Sequence, residues 1–472
     1  MINDLAGGDL AGGDLVGRGE LVVAAGAGVT GLPVIEYLAG LGARVLVSSD
    51  RPAPAALSAI PGDVRFAGDL RRVPTGISLV VTSAGIPPRH PLLASAVAAG
   101  IPVIGETELA WRIDHASGAT PRPWLVVTGT NGKTTTVGML EAMLRADDRI
   151  VTACGNVGWP VLAAVLAGAT GSTRQQLIAA ELSSFQLHYA PSIRPRAGLL
   201  LNLAEDHLDW HGSMAGYAAA KAVALTGEIA VAVVDDPGAA ALLADAPAAQ
   251  RVGVTTAVPA DGQIGVVAGR VIDRAFGRGE LFGVDAVRPV GVHHLTNAIC
   301  AAALAISVGV APAAISAALA DFEPGSHRNQ PVGEVDGVQY VDDSKATNPH
   351  AAAASLLAYP RVVWIAGGQL KGARVDDLVL AAADRLAGAV LLGVDAPMIA
   401  DALARHAPDV PRISVGRTDD GAMDEAVRAA RKLAAPGTAV VLAPAAASLD
   451  MFDSYAARGE AFARAVAALD HS

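Results

Sequence analysis

The chain has 472 residues, 52% of them hydrophobic and 17% charged, with a formal net charge of −11. That length exceeds what one hydrophobic core organises and points to about three globular domains. The acidic balance excludes a non-specific nucleic-acid binder, which needs a basic face, but leaves room for a small anionic substrate met by local cations.

The chain opens on MINDLAGGDLAGGDLVGRGE, which repeats AGGDL and lacks both a basic start and an apolar stretch. It is expected to be a flexible leader over residues 1–18 and not a signal peptide. No unbroken apolar run long enough to cross a membrane follows. Cys154 and Cys300 have no CxxC partner, so neither a zinc site nor a disulfide framework is expected. A cytoplasmic monomer with reduced thiols, without nucleic-acid or membrane partners, is the plain expectation.

Residues 21–25 read as a strand. The run Gly26-Ala27-Gly28-Val29-Thr30-Gly31 opens a helix to about Gly40, and residues 44–47 form the next strand, with Asp50 just past its end. A GxGxxG in this position with an acid about 20 residues on fits NAD binding. It fits another diphosphate equally well, because the fingerprint reports close phosphate approach and not nicotinamide. A further strand in residues 79–87 (LVVTSAGIP) places Ser83 and Gly85 at the carboxyl edge of the same sheet, where open α/β sheets bind ligands. Residues 115–123 (HASGATPRP) have the composition of a linker.

The second domain begins with WLVVTGTNGKTTTVGML at residues 124–140. A short apolar strand is followed by a Gly-bounded turn, Lys133, three threonines and a helix around residues 139–143. Such a turn lets backbone N–H groups close on phosphate, the helix start adds its positive end, and lysine reaches the outer phosphates. Thr134 occupies the position of a Mg²⁺-ligating hydroxyl. Only Thr130 and Asn131 separate Gly129 from Gly132, where the usual loop is longer.

Farther on, CGNVGWP carries Asn156 in a turn. Two apolar strands then end in acids: LIAAELSSFQL with Glu181, and GLLLNLAEDHLDWHG with Glu205, Asp206, His207 and Asp209. Acids at strand tips beside a phosphate loop suit a metal, although one such acid alone is more often a cap. Lys221, on a helix over residues 217–225, reads from spacing as a solvated charge. Asn297 is expected in the first turn of a helix within residues 291–309, as a cap or an adenine-facing amide. A third domain starts near Glu323 and repeats strand–loop–helix units, with Asp343, Lys345, Lys371 and Ser448 each following a strand end.

Taken together, GTNGKTTT at Gly129–Thr136, ELSSFQL at Glu181, NLAEDHLD at His207, HHLTNA at Asn297, His327-Arg328 and DDSKATNP ending at Pro349 resemble the Mur ligase family of ATP-dependent amino-acid ligases. DDSKATNP and LAPAAASLDMF resemble the branch that adds D-glutamate to UDP-N-acetylmuramoyl-L-alanine. A sibling ligase for another amino acid, or a non-catalytic nucleotide-binding protein, would be the alternatives. The resemblance implies an α/β fold of three domains: Rossmann-like over 19–117, a P-loop-type ATPase over 124–322, and Rossmann-like over 323–472.

The resemblance also implies roles. Gly129, Thr130, Asn131, Gly132, Lys133, Thr134 and Thr135 would hold ATP, with Asn297, Arg328 and Asp343. Thr134 and Glu181 would ligate one Mg²⁺, and His207 with Lys221, carbamylated by CO₂, a second. Lys133, His207, Lys221 and Lys345 would be catalytic. Thr30, Arg51, Ser83 and Gly85 would meet the uridine diphosphate, and Asn156 and His207 the muramoyl-peptide. Lys345, Thr347, Lys371, Ser448, Leu449 and Tyr455 would surround D-glutamate. His294, Asp342 and Tyr455 stand where the family usually has Asn, Asn and Phe.

Overall fold

The computed structural model describes residues 16–116, 121–168, 173–288, 291–323, 325–419 and 421–471. Most of the expected leader, and residues 117–120 of the expected linker, lie outside these.

The first sheet contains β1 (Leu21–Ala25), β2 (Arg44–Ser48), β3 (Val64–Gly68), β4 (Ile77–Thr82) and β5 (Val103–Gly105), all parallel in the order β3-β2-β1-β4-β5. Its helices are α1 (Gly31–Gly40), α2 (Pro91–Ala98) and α3 (Glu106–Ala116). Strand order reverses between β1 and β4, which opens a crevice at their carboxyl ends. Both faces are covered, so β1 and β4 read as almost unbroken apolar runs.

The second sheet contains β6 (Trp124–Thr128), β7 (Ala153–Gly155), β8 (Ile178–Glu181), β9 (Ala197–Leu200), β10 (Ile229–Val233), β11 (Gln250–Val254), β12 (Gln263–Val267), β13 (Arg270–Asp273) and β14 (Gly279–Gly283). Their order is β14-β13-β12-β11-β10-β9-β6-β8-β7, parallel except for the β12-β13-β14 meander. The helices are α4 (Lys133–Ala146), α5 (Val161–Leu166), α6 (Ser184–His188), α7 (Leu208–His211), α8 (Met214–Ala222), α9 (Pro237–Ala244), α10 (Val292–Ser307) and α11 (Pro312–Ala320). The order puts β6 between β8 and β9, so the tips carrying the phosphate loop, Glu181 and the His207 segment are neighbours.

The third sheet contains β15 (Gln330–Val335), β16 (Val338–Asp342), β17 (Val362–Gly367), β18 (Leu386–Leu392), β19 (Arg412–Ser414) and β20 (Ala439–Leu442), in the order β15-β16-β20-β17-β18-β19. Only β15 is antiparallel. Its helices are α12 (Pro349–Leu356), α13 (Asp376–Ala382), α14 (Ala396–His406), α15 (Ala422–Leu433) and α16 (Tyr455–Ala467).

The chain divides into two compact units. One comprises the described residues to Val287 with Leu295–Phe322, and the other Arg288–His294 with Glu323 onward. The first two sheets therefore share a unit. A single apolar core runs from Val22 and Val45 through Leu109 and Ile113 of α3 to Trp124, Leu162 and Ile178.

Three expectations change. The phosphate-loop helix begins at Lys133 and not near Met139, because Gly132, at φ +84°, turns the chain directly into it. Asn297 lies in the second turn of α10, which already starts at Val292. In the expected linker, α3 continues to Ala116 and Arg122 is buried, since its guanidinium finds Asp114.

Candidate active site

The loop after β6 is drawn tight by its neighbours. Thr130 N donates to Asn202 O at 3.1 Å and Asn131 N to the Asn202 side chain at 2.8 Å. The Thr130 hydroxyl meets Tyr217 at 3.0 Å. A Cβ on Gly132 would lie 2.6 Å from Asn297 Oδ1, so glycine permits the contact that places Asn297 beside the loop. Lys133 Nζ folds back onto the carbonyls of Gly129 and Thr130 at 2.9 and 2.8 Å. Thr134 and Thr135 lie in the first turn of α4, where free N–H groups and the helix dipole favour an anion.

Glu181 ends β8, and its two oxygens are divided. Oε2 accepts from the Thr134 hydroxyl at 2.6 Å and Oε1 from Asn156 Nδ2 at 2.8 Å. The structure thus joins Asn156 to the expected pair of Thr134 and Glu181. Lys221 departs from its reading as a solvated charge: it is 1% exposed, and Nζ donates to Gly129 O at 2.7 Å. Burial, with the nearby Lys133 ammonium, holds its pKa well below the lysine range. Asp206 and Glu181 pull the other way.

His207 starts α7 in a left-handed conformation, φ +53°, with its ring 4.7 Å from Phe185 and Nε2 3.5 Å from Asp206. Burial lowers its pKa; Asp206 opposes this, and Lys133 and Lys221 add to it.

Among the described residues, no group of three or more His, Cys, Asp or Glu is arranged to hold a metal. That does not conflict with Mg²⁺, which takes one or two carboxylates and completes its shell with water and phosphate oxygens. Thr134 and Glu181 are such donors, already 2.6 Å apart. At Lys221, a buried amine held toward its neutral form is the species that reacts with CO₂. The residues therefore fit both groups.

In the first sheet, Gly26 (φ +98°) and Ser83 approach across the switch point: a Cβ on Gly26 would stand 2.3 Å from Ser83 Oγ. Thr30 precedes α1, and Gly85 and Arg51 are exposed at the same edge.

The second unit carries the rest. Lys345 Nζ stands 3.8 Å over the Tyr455 ring, a cation–π contact that needs an aromatic face and tolerates tyrosine in place of phenylalanine. Asp342 is buried and pairs with His327 Nδ1 at 2.7 Å. Burial raises the Asp343 carboxyl to about 6, against the pull of Arg328. Thr347 and Ser448 are sheltered, while Lys371 (φ +52°) and Leu449 are exposed. His294 is buried, and neither ring nitrogen has a partner among the described residues.

Sequence reading missed Arg458. This arginine on α16 is 1% exposed and donates from Nε to Ser344 Oγ, from Nη2 to Ser344 O, and from Nη1 to Ala446 O and Gly367 O, at 2.9, 2.9, 3.1 and 3.4 Å. It ties together the loops after β16, β17 and β20. The only sequence signal is an arginine amid the apolar positions of a helix.

Comparison with known proteins agrees with this architecture. Sequence profiles match for the Mur ligase MurD-like N-terminal domain over residues 20–105, the Mur ligase middle domain over 127–305 and the Mur ligase glutamate ligase domain over 327–446. A UDP-N-acetylmuramoylalanine--D-glutamate ligase of Mycolicibacterium smegmatis is 51% identical over 486 residues, covering 95% of this chain and 97% of that protein. The protein of the same name from Thermobifida fusca is 51% identical over 467 residues, covering 96% and 99%. The crystal structure of MurF ligase from Thermotoga maritima in complex with ADP covers 99% of both chains at 17% identity, with a TM-score of 0.56, a likeness of fold. Identity of about half, sustained along nearly the whole length and through all three sheets, makes this chain a member of the Mur ligase family.

Proposed function

We propose that the chain is an ATP-dependent ligase that joins D-glutamate to UDP-N-acetylmuramoyl-L-alanine in peptidoglycan precursor synthesis. The observation that carries the choice of amino acid is the near-full-length identity to ligases of that name. The meeting of Lys133, Lys221, Thr134 and Glu181 around Gly129 supports ATP chemistry at that point.

A free carboxylate resists amines because attack would have to expel an oxide. Its oxygen therefore attacks the γ-phosphorus of ATP, the bond to ADP breaks, and an acyl phosphate forms. The D-glutamate nitrogen then forms the C–N bond and loses a proton, and phosphate departs with the C–O electron pair. The protein supplies position and charge. Lys133 leaves the carbonyls of its own loop for the outer phosphates, and the α4 N–H groups face them. Thr134 with Glu181, and His207 with carbamylated Lys221, would hold two Mg²⁺ ions, which neutralise charge on the transferring phosphoryl group. Asn156 and His207 orient the muramoyl-peptide.

Residues 19–117 form the uridine-diphosphate domain in this reading, with Thr30, Arg51, Ser83 and Gly85 at its crevice. Residues 124–322 form the ATP domain, and 323–472 the amino-acid domain. Asn297, Arg328 and Asp343 serve the nucleotide. Lys345, Thr347, Lys371, Ser448, Leu449 and Tyr455 receive D-glutamate, cations and hydroxyls suiting a dicarboxylate. No helix among the described residues is long and apolar enough to cross a membrane, and soluble substrates fit a cytoplasmic monomer.

The test is phosphate release from ATP with UDP-N-acetylmuramoyl-L-alanine and a panel of amino acids. D-Glutamate alone should drive turnover. Release driven by another amino acid would make the chain a sibling ligase, and none at all would refute the ligase reading.

A further inference from the structure

Helix α3 carries three buried acids that this mechanism leaves unused. Glu106, Glu108 and Asp114 are 6%, 0% and 6% exposed. The helix is joined directly to β5 of the first sheet, yet each acid accepts from a different segment of the second. Glu106 Oε1 accepts from Leu162 N, in α5, at 2.6 Å. Glu108 Oε2 accepts from Ser192 N, beyond α6, at 3.0 Å. Asp114 accepts from Arg122 Nε at 2.6 Å and from the Trp124 indole N–H at 2.9 Å, and Arg122 reaches on to Val165 O at 2.9 Å. Gly105 N, at the end of β5, donates to Tyr189 O at 2.9 Å.

The apolar core already crosses this junction, so cohesion alone does not require acids there. Burying a carboxylate costs free energy unless it is paired and hydrogen-bonded. What the acids add is direction. Apolar surfaces slide over one another, whereas an N–H aimed at a carboxylate oxygen fixes distance and angle. The gripped segments also have a common position. Trp124 begins the strand that runs into Gly129, Leu162 follows the Asn156 turn, and Ser192 follows the helix after Glu181. On the other side, β5 pairs with β4, which delivers Ser83 and Gly85. Two more bonds tie that loop nearer the site: Tyr189 OH to Ile86 O at 2.8 Å and Arg89 Nη1 to Asp209 O at 2.5 Å.

We infer that Glu106, Glu108 and Asp114 are positioning residues, and that α3 is a polar latch setting the separation between the Gly26–Ser83 crevice and the phosphate loop. A substrate whose uridine end and carboxylate end lie in the two halves of this unit reads that separation. A ligand confined to one half does not. The inference rests on the ligase reading for the identity of the spanning substrate.

The test uses the full-length variants Glu106→Leu, Glu108→Leu and Asp114→Leu, which delete the acceptors, with Glu106→Gln, which keeps one for Leu162, as the conservative control. It measures affinity for UDP-N-acetylmuramoyl-L-alanine and for ATP, the melting midpoint, and amide exchange at Leu162 and Ser192. The latch predicts nucleotide-sugar binding weakened about tenfold or more in the acceptor-free variants and close to the parent's in Glu106→Gln, with ATP binding unchanged and faster exchange confined to the gripped segments. Unchanged substrate affinity overturns it. So does a loss that merely follows ATP affinity and melting, which is the mark of a structural role. If Asp114→Leu does not fold, the comparison of Glu106→Leu with Glu106→Gln decides. If the parent binds no nucleotide sugar, the ligase reading fails and the exchange arm judges the latch: local acceleration with β6 and α4 unaffected upholds it, and unchanged exchange overturns it.

Discussion

Lys133 and Lys221 both donate to the carbonyl oxygen of Gly129, at 2.9 and 2.7 Å. Two ammonium groups on one acceptor, one of them buried, repel each other, and the arrangement favours a neutral Lys221. As the proposed carbamate, that side chain would be an anionic oxygen donor beside a cation.

Lys221→Ala should therefore lower turnover by about a hundredfold or more, with partial recovery in added acetate, which replaces the missing carboxylate. Lys221→Arg should not recover, because guanidinium is always charged and takes up no CO₂. Phosphate release with and without acetate checks both. Full activity in either variant would remove the carbamate from the scheme.

The 2.6 Å bond from the Thr134 hydroxyl to Glu181 sets two donors side by side. Thr134→Val keeps the shape and deletes one. The Mg²⁺ concentration giving half-maximal rate should rise about tenfold to a hundredfold, while nucleotide stays bound through the loop backbone. A Mg²⁺ titration of the rate, alongside ADP binding without metal, separates the two effects.

Burial draws the pKa of Arg458 to about 10, which leaves it charged at neutral pH, holding three loops through carbonyls and Ser344. Arg458→Lys cannot reproduce that planar set of donors. The KM for D-glutamate should rise about tenfold and stability fall by about 2–4 kcal/mol, with the KM for ATP unchanged. Initial rates and urea unfolding report on each.

Glu106 gives a pH prediction. Desolvation raises its carboxyl from 4.5 to about 7, although Leu162 N–H and the Thr107 hydroxyl favour the charged form. A raised carboxyl pKa means that the folded state binds the proton more tightly than the unfolded chain. Its contribution to stability is therefore complete below about pH 4.5 and lost as pH rises through 7. Relative to Glu106→Gln, the parent should lose up to about 3 kcal/mol between those limits. Unfolding free energies of the two proteins at pH 5 and pH 8 check the sign.

The local pattern of the sequence determined a good deal. The apolar run at Trp124, the glycines and GKT dictate a strand, a phosphate turn and a helix, because these depend on backbone geometry within a few residues. Period and composition placed Ser83, Glu181, Asp343 and Ser448 at or just after strand ends for the same reason. They did not determine burial or long-range pairing. Lys221 lies 92 residues from Gly129, and Arg458 lies 114 from Ser344. A lysine on an alanine-rich helix has the same local signature whether it faces water or the interior, and three acids on α3 look like a solvated face. Only the tertiary structure, which brings distant donors to those side chains and removes the water that would otherwise screen them, decided that these charges are buried and what they hold.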